Sequence, residues 1–172
     1  ALACSLNLAA VRLLQECGGP AALQRLLQAC GIHTLTKPAN HYGLGLTIGS
    51  GEVTLLGLTS AYASLARMGT WLPPRALLST PAQPPVRIAD PVSTWLLADI
   101  LSDTAARVRT FGTGHTLRLP FQLAVKTGTS SDYRDNWTIG YNARYTVGVW
   151  AGNFDGSPMR GVSGITGAGP IF

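Results

Sequence analysis

Charge is scarce in this chain, and lysine scarcer still. Only 12% of the 172 residues are charged, and lysine occurs twice, at Lys37 and Lys126. The arginines are scattered from Arg12 to Arg160 without a basic run, so the net charge of +5 lacks the clustering that nucleic acid binding needs. Cysteine is limited to Cys4, Cys17 and Cys30, and no Cys-x-x-Cys is present. An odd count spaced this way argues against a closed disulfide framework, and buried free thiols are expected. His33, His41 and His115 show no metal-ligand spacing. No apolar run is long enough to span a bilayer, and residues 1–11 lack the basic leader of a signal peptide. The sequence opens without methionine inside a helical pattern, so it reads as a piece of a longer chain.

What is there is apolar. Hydrophobic residues make up 46% of the chain, enough for a folded domain with a substantial core. Leu2, Leu6, Ala9 and Leu13 mark a helical stripe ending at Gly18 and Gly19. Pro20 suits the first turn of a second helix, with Leu23, Leu26, Leu27 and Cys30 on one face. Residues 32–51 read as a long connection in which Gly43, Gly45, Gly49 and Gly51 let the backbone pass close to another surface. Thr54 is an N-cap for a helix carrying Leu55, Leu58, Tyr62 and Leu65, closed by Gly69. A short extended piece follows at residues 70–72, and the prolines of residues 81–86 mark a surface linker. Asp90 and Pro91 start a helix that runs through Leu101, after which residues 103–120 look irregular.

Residues 121–125 read as a buried strand. Residues 137–141 and 145–150 flank Asn142-Ala143-Arg144 as a β-hairpin. Helices followed by strands define an α+β class with an antiparallel sheet, and no internal repeat is present. Three strands with both edges unpaired make a poor sheet, so its missing partners are expected before Ala1 or after Phe172.

The first strand ends in Lys126-Thr127-Gly128-Thr129. A cation at the end of a buried strand is expensive unless an anion visits it or a partner offsets it. Far upstream, Ser5-Leu6-Asn7 opens the first helical region. Together Ser-x-Asn and Lys-Thr-Gly resemble two of the three motifs of penicillin-recognising serine acyltransferases. The resemblance extends through residues 49–55, 61–66, 95–102 and 125–137, which look like class A penicillin-binding proteins. The wording of residues 132–137 and 152–156 is most similar to the 1C subgroup.

That resemblance implies a bacterial cell-wall D,D-transpeptidase of the β-lactamase-like fold, at the periplasmic face of the inner membrane, working without a cofactor. Its partners would be peptidoglycan stem peptides ending in D-Ala-D-Ala, and β-lactams that mimic them. In the matched positions, Lys126 would offer its charge to the donor carboxylate, with Thr127 and Thr129 adding hydroxyl donors. The backbone N–H of Thr129 would serve the oxyanion hole. Gly128 would let substrate approach without a Cβ in the way, Ser5 would relay a proton to the leaving amine, and Asn7 would hold the acyl side chain's amide. Strict alternation sends Lys126 to the face opposite Thr127, and an edge strand bordering the cleft would reconcile the two.

The family's nucleophile lies in Ser-x-x-Lys, and here Thr34 and Leu123 precede the lysines by three. Residues 1–172 are therefore expected to be the C-terminal portion of one transpeptidase domain. The serine, a membrane anchor and a glycosyltransferase domain would lie upstream, and this portion would be inactive alone. Two other readings share these motifs: a non-catalytic β-lactam sensor, and a hydrolytic D,D-carboxypeptidase or β-lactamase.

Overall fold

The computed structural model describes residues 1–114 and 116–172, so His115 lies outside the described residues. Helix α1 (Asn7–Glu16) begins later than the leucine stripe suggests. The reason is Ser5, which sits in the left-handed region at φ 56° and breaks the helical path. Leu14, not Leu13, is the buried residue of α1. Gly18 turns the chain at φ 92° into α2 (Gly19–Ala29), with Pro20 in its first turn. Of the three thiols, Cys30 is buried, Cys4 half-buried and Cys17 exposed. The expectation of buried thiols fails at Cys17 because it stands past the last turn of α1.

Residues 32–51 are not a bare connection. Helix α3 (Ala39–Tyr42) and a 3-10 turn (Gly43–Ile48) fill it, and Ile32, Leu35 and Leu46 form a core against Leu23, Leu27 and Leu58. The expected close approach holds at Gly51, where a Cβ would stand 2.5 Å from Leu35 Cδ2, and at Gly45, 3.0 Å from Ser50 Oγ, but not at Gly43 or Gly49, which face open space and serve through their left-handed φ of 57° and 103°. Helix α4 (Leu55–Ala66) is capped by Thr54, whose hydroxyl accepts from Gly57 N–H. Strand β1 (Thr70–Trp71) then pairs antiparallel with β2 (Val86–Arg87), so the expected linker loses Val86 to a strand. Asp90 caps α5 (Pro91–Ser102) by accepting from Ser93 N–H at 2.9 Å.

The largest departure is α6 (Thr104–Phe111), where an irregular stretch was expected. Asp103 caps it, accepting from Ala106 N–H at 2.9 Å. With only two turns, α6 offers just Ala105, Val108 and Phe111 at three-residue steps, too short a pattern to read as a helix. Its stability comes from tertiary contact, including buried Arg107, which donates to the Leu101 carbonyl and to Thr104 Oγ1.

Strands β3 (Ala124–Thr129), β4 (Asp135–Tyr141) and β5 (Thr146–Gly152) form an antiparallel sheet in that order. The first strand begins later than expected and runs on through the polar residues, because pairing continues from Ala124↔Tyr141 to Thr129↔Asn136. Phe121 stays exposed. One face of the sheet carries Ala124 and Tyr141, packed with Leu101, Tyr62, Leu65 and Ala98 of α4 and α5. The other face is closed by the end of the chain and α7 (Ala168–Ile171). At Gly140 a Cβ would stand 2.6 Å from the Phe172 ring. Among the described residues, β3 and β5 have no further strand partner on their outer edges.

Gly69, at φ 86° just past α4, leads into the β1–β2 pair, and a Cβ there would overlap the Ala89 carbonyl. Left-handed strain and overlap with backbone add, so Gly69→Ala is expected to destabilise the protein by about 2–4 kcal/mol. Thermal unfolding checks this, and an unchanged melting temperature would contradict it.

Candidate active site

Lys126 leaves β3 on the side of α4 and α5, since it follows Ala124 by two residues. It is half-buried, and its ammonium donates to Ser5 Oγ at 2.6 Å and to the Thr127 carbonyl at 2.7 Å. Two residues 121 positions apart are thus in direct contact. The bond to Thr127 accounts for the face problem. The lysine side chain curls round the outer edge of β3, so its charge reaches the border where Thr127 also lies. An ammonium has three N–H donors, and these two contacts leave one over.

Ser5 does not cap α1, for the residue at the cap position is Leu6 and no side chain accepts there. Its placement comes from its surroundings instead. Ser5 N–H bonds Leu2 O at 3.0 Å and Leu6 N–H bonds Ala1 O at 3.1 Å. From α6, Thr110 Oγ1 donates to Cys4 O at 3.2 Å, and Cys4 Sγ donates to Ala106 O at 3.4 Å. The helix that sequence pattern misses is therefore the one that holds the serine loop. The Asp103–Ala106 cap spacing was the available signal.

Beyond Lys126, the strand geometry orients the backbone. Ser130 N–H bonds Asp135 O across the β3–β4 turn at 3.0 Å. Alternate residues of an antiparallel strand turn their N–H and C=O to opposite sides, so the Thr129 N–H faces the outer edge. The Thr129 side chain is exposed, and its Oγ1 accepts from Gly164 N–H at 2.9 Å. Thr127 and Gly128 are half-buried, and Asn7 is exposed at the first residue of α1. Nothing within the fold demands glycine at 128: its φ is not left-handed, and a Cβ would make an ordinary 3.5 Å contact with Trp137 Cβ.

The turn past Thr129 is pinned by Asp135. Its carboxylate accepts from Ser130 Oγ and from Trp150 Nε1, each at 2.9 Å, while Asp135 N–H donates to Ser130 Oγ at 2.8 Å. Between them, Asp132 and Tyr133 are both left-handed, at φ 59° and 57°. Such strain persists where surrounding bonds over-determine the backbone. Asp135 and Trp150 lie in stretches noted for the family resemblance and the hairpin, yet neither they nor Gly164 carry an expected site role.

Burial pulls the Lys126 pKa below the ordinary lysine value. Among the described residues the only salt bridge is Arg134–Asp132, so no carboxylate offsets the Lys126 charge. Two cavities, of about 280 Å³ beside Gly31 and about 310 Å³ between α4 and the β4–β5 turn, are lined by none of these residues. The candidate site is an exposed strand edge with a cation, two hydroxyls and an outward N–H, a set suited to a carboxylate beside a carbonyl.

Comparison with known proteins gives the family of this α+β domain. Over its whole length the chain is 34% identical to penicillin-binding protein 1C of Escherichia coli (strain K12), in an alignment of 177 residues. The chain spans about a fifth of that relative, 22%. The imipenem acyl-enzyme complex of penicillin-binding protein A from M. tuberculosis shares the fold, with a TM-score of 0.67 at 21% identity over 99% of this chain and 45% of that one. The TP domain of Burkholderia pseudomallei penicillin-binding protein 3 does so at 0.70, with 19% identity over 96% of this chain and 58% of that one. No protein-family model matches. The chain belongs to the penicillin-binding proteins, and its helices and antiparallel sheet are an incomplete portion of their transpeptidase fold.

A lysine with a depressed pKa weakens the fold while protonated, and the penalty fades as pH climbs from the depressed value to the ordinary one. Lys126→Met is therefore expected to melt no lower than the unmodified protein at neutral pH, with any advantage shrinking as pH rises. A variant that melts well below the parent at neutral pH would show that the bonds to Ser5 and Thr127 outweigh burial.

Proposed function

We propose that this chain belongs to a peptidoglycan D,D-transpeptidase and supplies the carboxylate-binding and proton-relay half of its site. The observation that carries the reading is the 2.6 Å contact between Lys126 Nζ and Ser5 Oγ. It joins the two motifs that the family uses together. In this reading the domain works at the periplasmic face of the inner membrane, and its nucleophile comes from a Ser-x-x-Lys element that residues 1–172 do not contain.

In this reading the nucleophilic serine oxygen attacks the carbonyl of the penultimate D-alanine of a stem peptide. A C–O bond forms as the serine's proton passes to the lysine of its own Ser-x-x-Lys element, the C–N bond to the terminal D-alanine breaks, and Ser5 delivers a proton to the departing amine. Lys126 polarises the Ser5 hydroxyl and faces the terminal carboxylate, where Thr127 and Thr129 add hydroxyl donors. Each charge-assisted hydrogen bond is worth about 1.5–3 kcal/mol. The outward Thr129 N–H stabilises the oxyanion, a larger contribution of about 2.7–4 kcal/mol. Asn7 holds the acyl side chain's amide. An amine of a second stem then attacks the ester, forming the cross-link and releasing the serine.

A β-lactam presents the same carboxylate and carbonyl, and its opened ring stays attached as an acyl-serine. The imipenem acyl-enzyme of the M. tuberculosis protein, which shares the fold, supports extending this to the present chain. Gly128 completes the reading, because the fold itself has room for a Cβ there. Its bareness serves an approaching substrate.

In the full-length protein, Lys126→Ala is expected to slow acylation by fluorescent penicillin at least about tenfold while the protein stays folded. Labelling at the parental rate would remove Lys126 from the site. Gly128→Ala should likewise retain its melting temperature and lose acylation, and a variant that labels normally would show that substrate does not pass over residue 128. Cross-linked muropeptide product separates a transpeptidase from a sensor, which would be labelled but form none.

A further inference from the structure

On the face of the sheet away from α4 and α5, a turn over residues 163–167 lies against β3 and β4. Gly164 makes the contact in both directions. Its N–H donates to Thr129 Oγ1 at 2.9 Å, and its carbonyl accepts from Thr138 Oγ1, also at 2.9 Å. Thr138 is fully buried. A Cβ on Gly164 would overlap the Gly128 carbonyl and stand 2.7 Å from the Trp137 carbonyl, so only glycine lets the turn lie this close. The turn is itself closed, with Gly167 N–H on Ser163 O at 2.7 Å and Ser163 N–H on Thr166 Oγ1 at 2.9 Å.

A hydroxyl carries one hydrogen and two lone pairs. Gly164 occupies a lone pair of Thr129, which fixes the side-chain rotamer and leaves its O–H free to donate. An exposed threonine without such a partner would turn among rotamers and could offer a lone pair to an arriving anion. We propose that Gly164 is a positioning residue that holds the Thr129 hydroxyl as a donor toward the substrate carboxylate, with Thr138 holding Gly164 in turn. This rests on the transpeptidase reading and extends the working site to a segment outside its motifs. Its chemical target is the carboxylate, not the carbonyl under attack.

That target supplies the test. Acylation of the full-length protein by benzylpenicillin and by its methyl ester, which lacks the carboxylate charge, is followed by intact-protein mass spectrometry. Gly164→Ala is expected to slow the free acid about tenfold, the loss of one charge-assisted bond, while the slower ester reaction changes less than about twofold. In a Thr129→Val background, Gly164→Ala should add no further slowing. Equal slowing of acid and ester, additive effects of the two substitutions, or no effect on either probe would overturn the proposal. If Gly164→Ala does not fold, Thr138→Val removes the hydroxyl that holds Gly164 and is read by the same comparison. Lys126→Ala is run alongside. Full-rate acylation by that variant sinks the transpeptidase reading and this proposal with it, whereas slow acylation with no acid–ester discrimination at Gly164 sinks the positioning role alone.

Discussion

A half-buried ammonium group with no acidic partner is the constraint around which this molecule is arranged. Water would solvate Lys126 better than a hydroxyl and a carbonyl do, so the fold holds it in place against its own preference. Three separate pieces of chain share that task. Helices α4 and α5 bury the root of β3 at Ala124, the Asp135 network pins the far end of the hairpin turn, and α6 anchors the loop that brings up Ser5. A shift in any one of them would part Lys126 from Ser5, which explains why so short a helix as α6 is worth keeping.

The sheet is clad closely on both faces. Gly140 meets the Phe172 ring on one face, and on the other Gly148 faces Thr59, each with no space for a Cβ. Close packing of this kind makes an element bistable or rigid, not compliant. For a strand edge that must present a cation, a hydroxyl and an amide at fixed separations, rigidity is useful. Donors already aimed at the place where charge develops need no reorganisation when it does. The depressed lysine pKa and the left-handed pair Asp132 and Tyr133 are the energetic marks of that arrangement.

Local chemistry made part of this legible from sequence. Thr54 and Asp90 cap their helices through bonds three residues long, and the β4–β5 hairpin follows from alternation around Asn142. Where the information is tertiary, the sequence is silent. Helix α6 has a cap but only two turns in which to show a period, and β3 continues through Lys-Thr-Gly-Thr because β4 offers backbone partners that carry the lysine and glycine along with the strand-favouring threonines. The Ser5–Lys126 and Gly164–Thr129 contacts span 121 and 35 residues. Family resemblance brought the first pair together before any geometry did. It said nothing of the second, whose only trace in the sequence is one glycine among several near the end of the chain.

Under the transpeptidase reading proposed above, the same geometry bears on why the site would accept a β-lactam. Its donors are a point charge, two hydroxyls and a backbone amide, and each recognises an oxygen by charge and position rather than by what surrounds it. Discrimination requires a contact that one ligand can satisfy and the other cannot. Along the β3 edge the residue that could supply steric rejection is Gly128, which has no side chain. Adding one is sterically open to the fold but would narrow the passage for peptide and drug alike. Selectivity against the drug must then come from contacts with the rest of the stem peptide, away from the carboxylate and carbonyl that both ligands share. In that reading the edge of β3 supplies charge stabilisation and orientation, and it does not also tell the two apart.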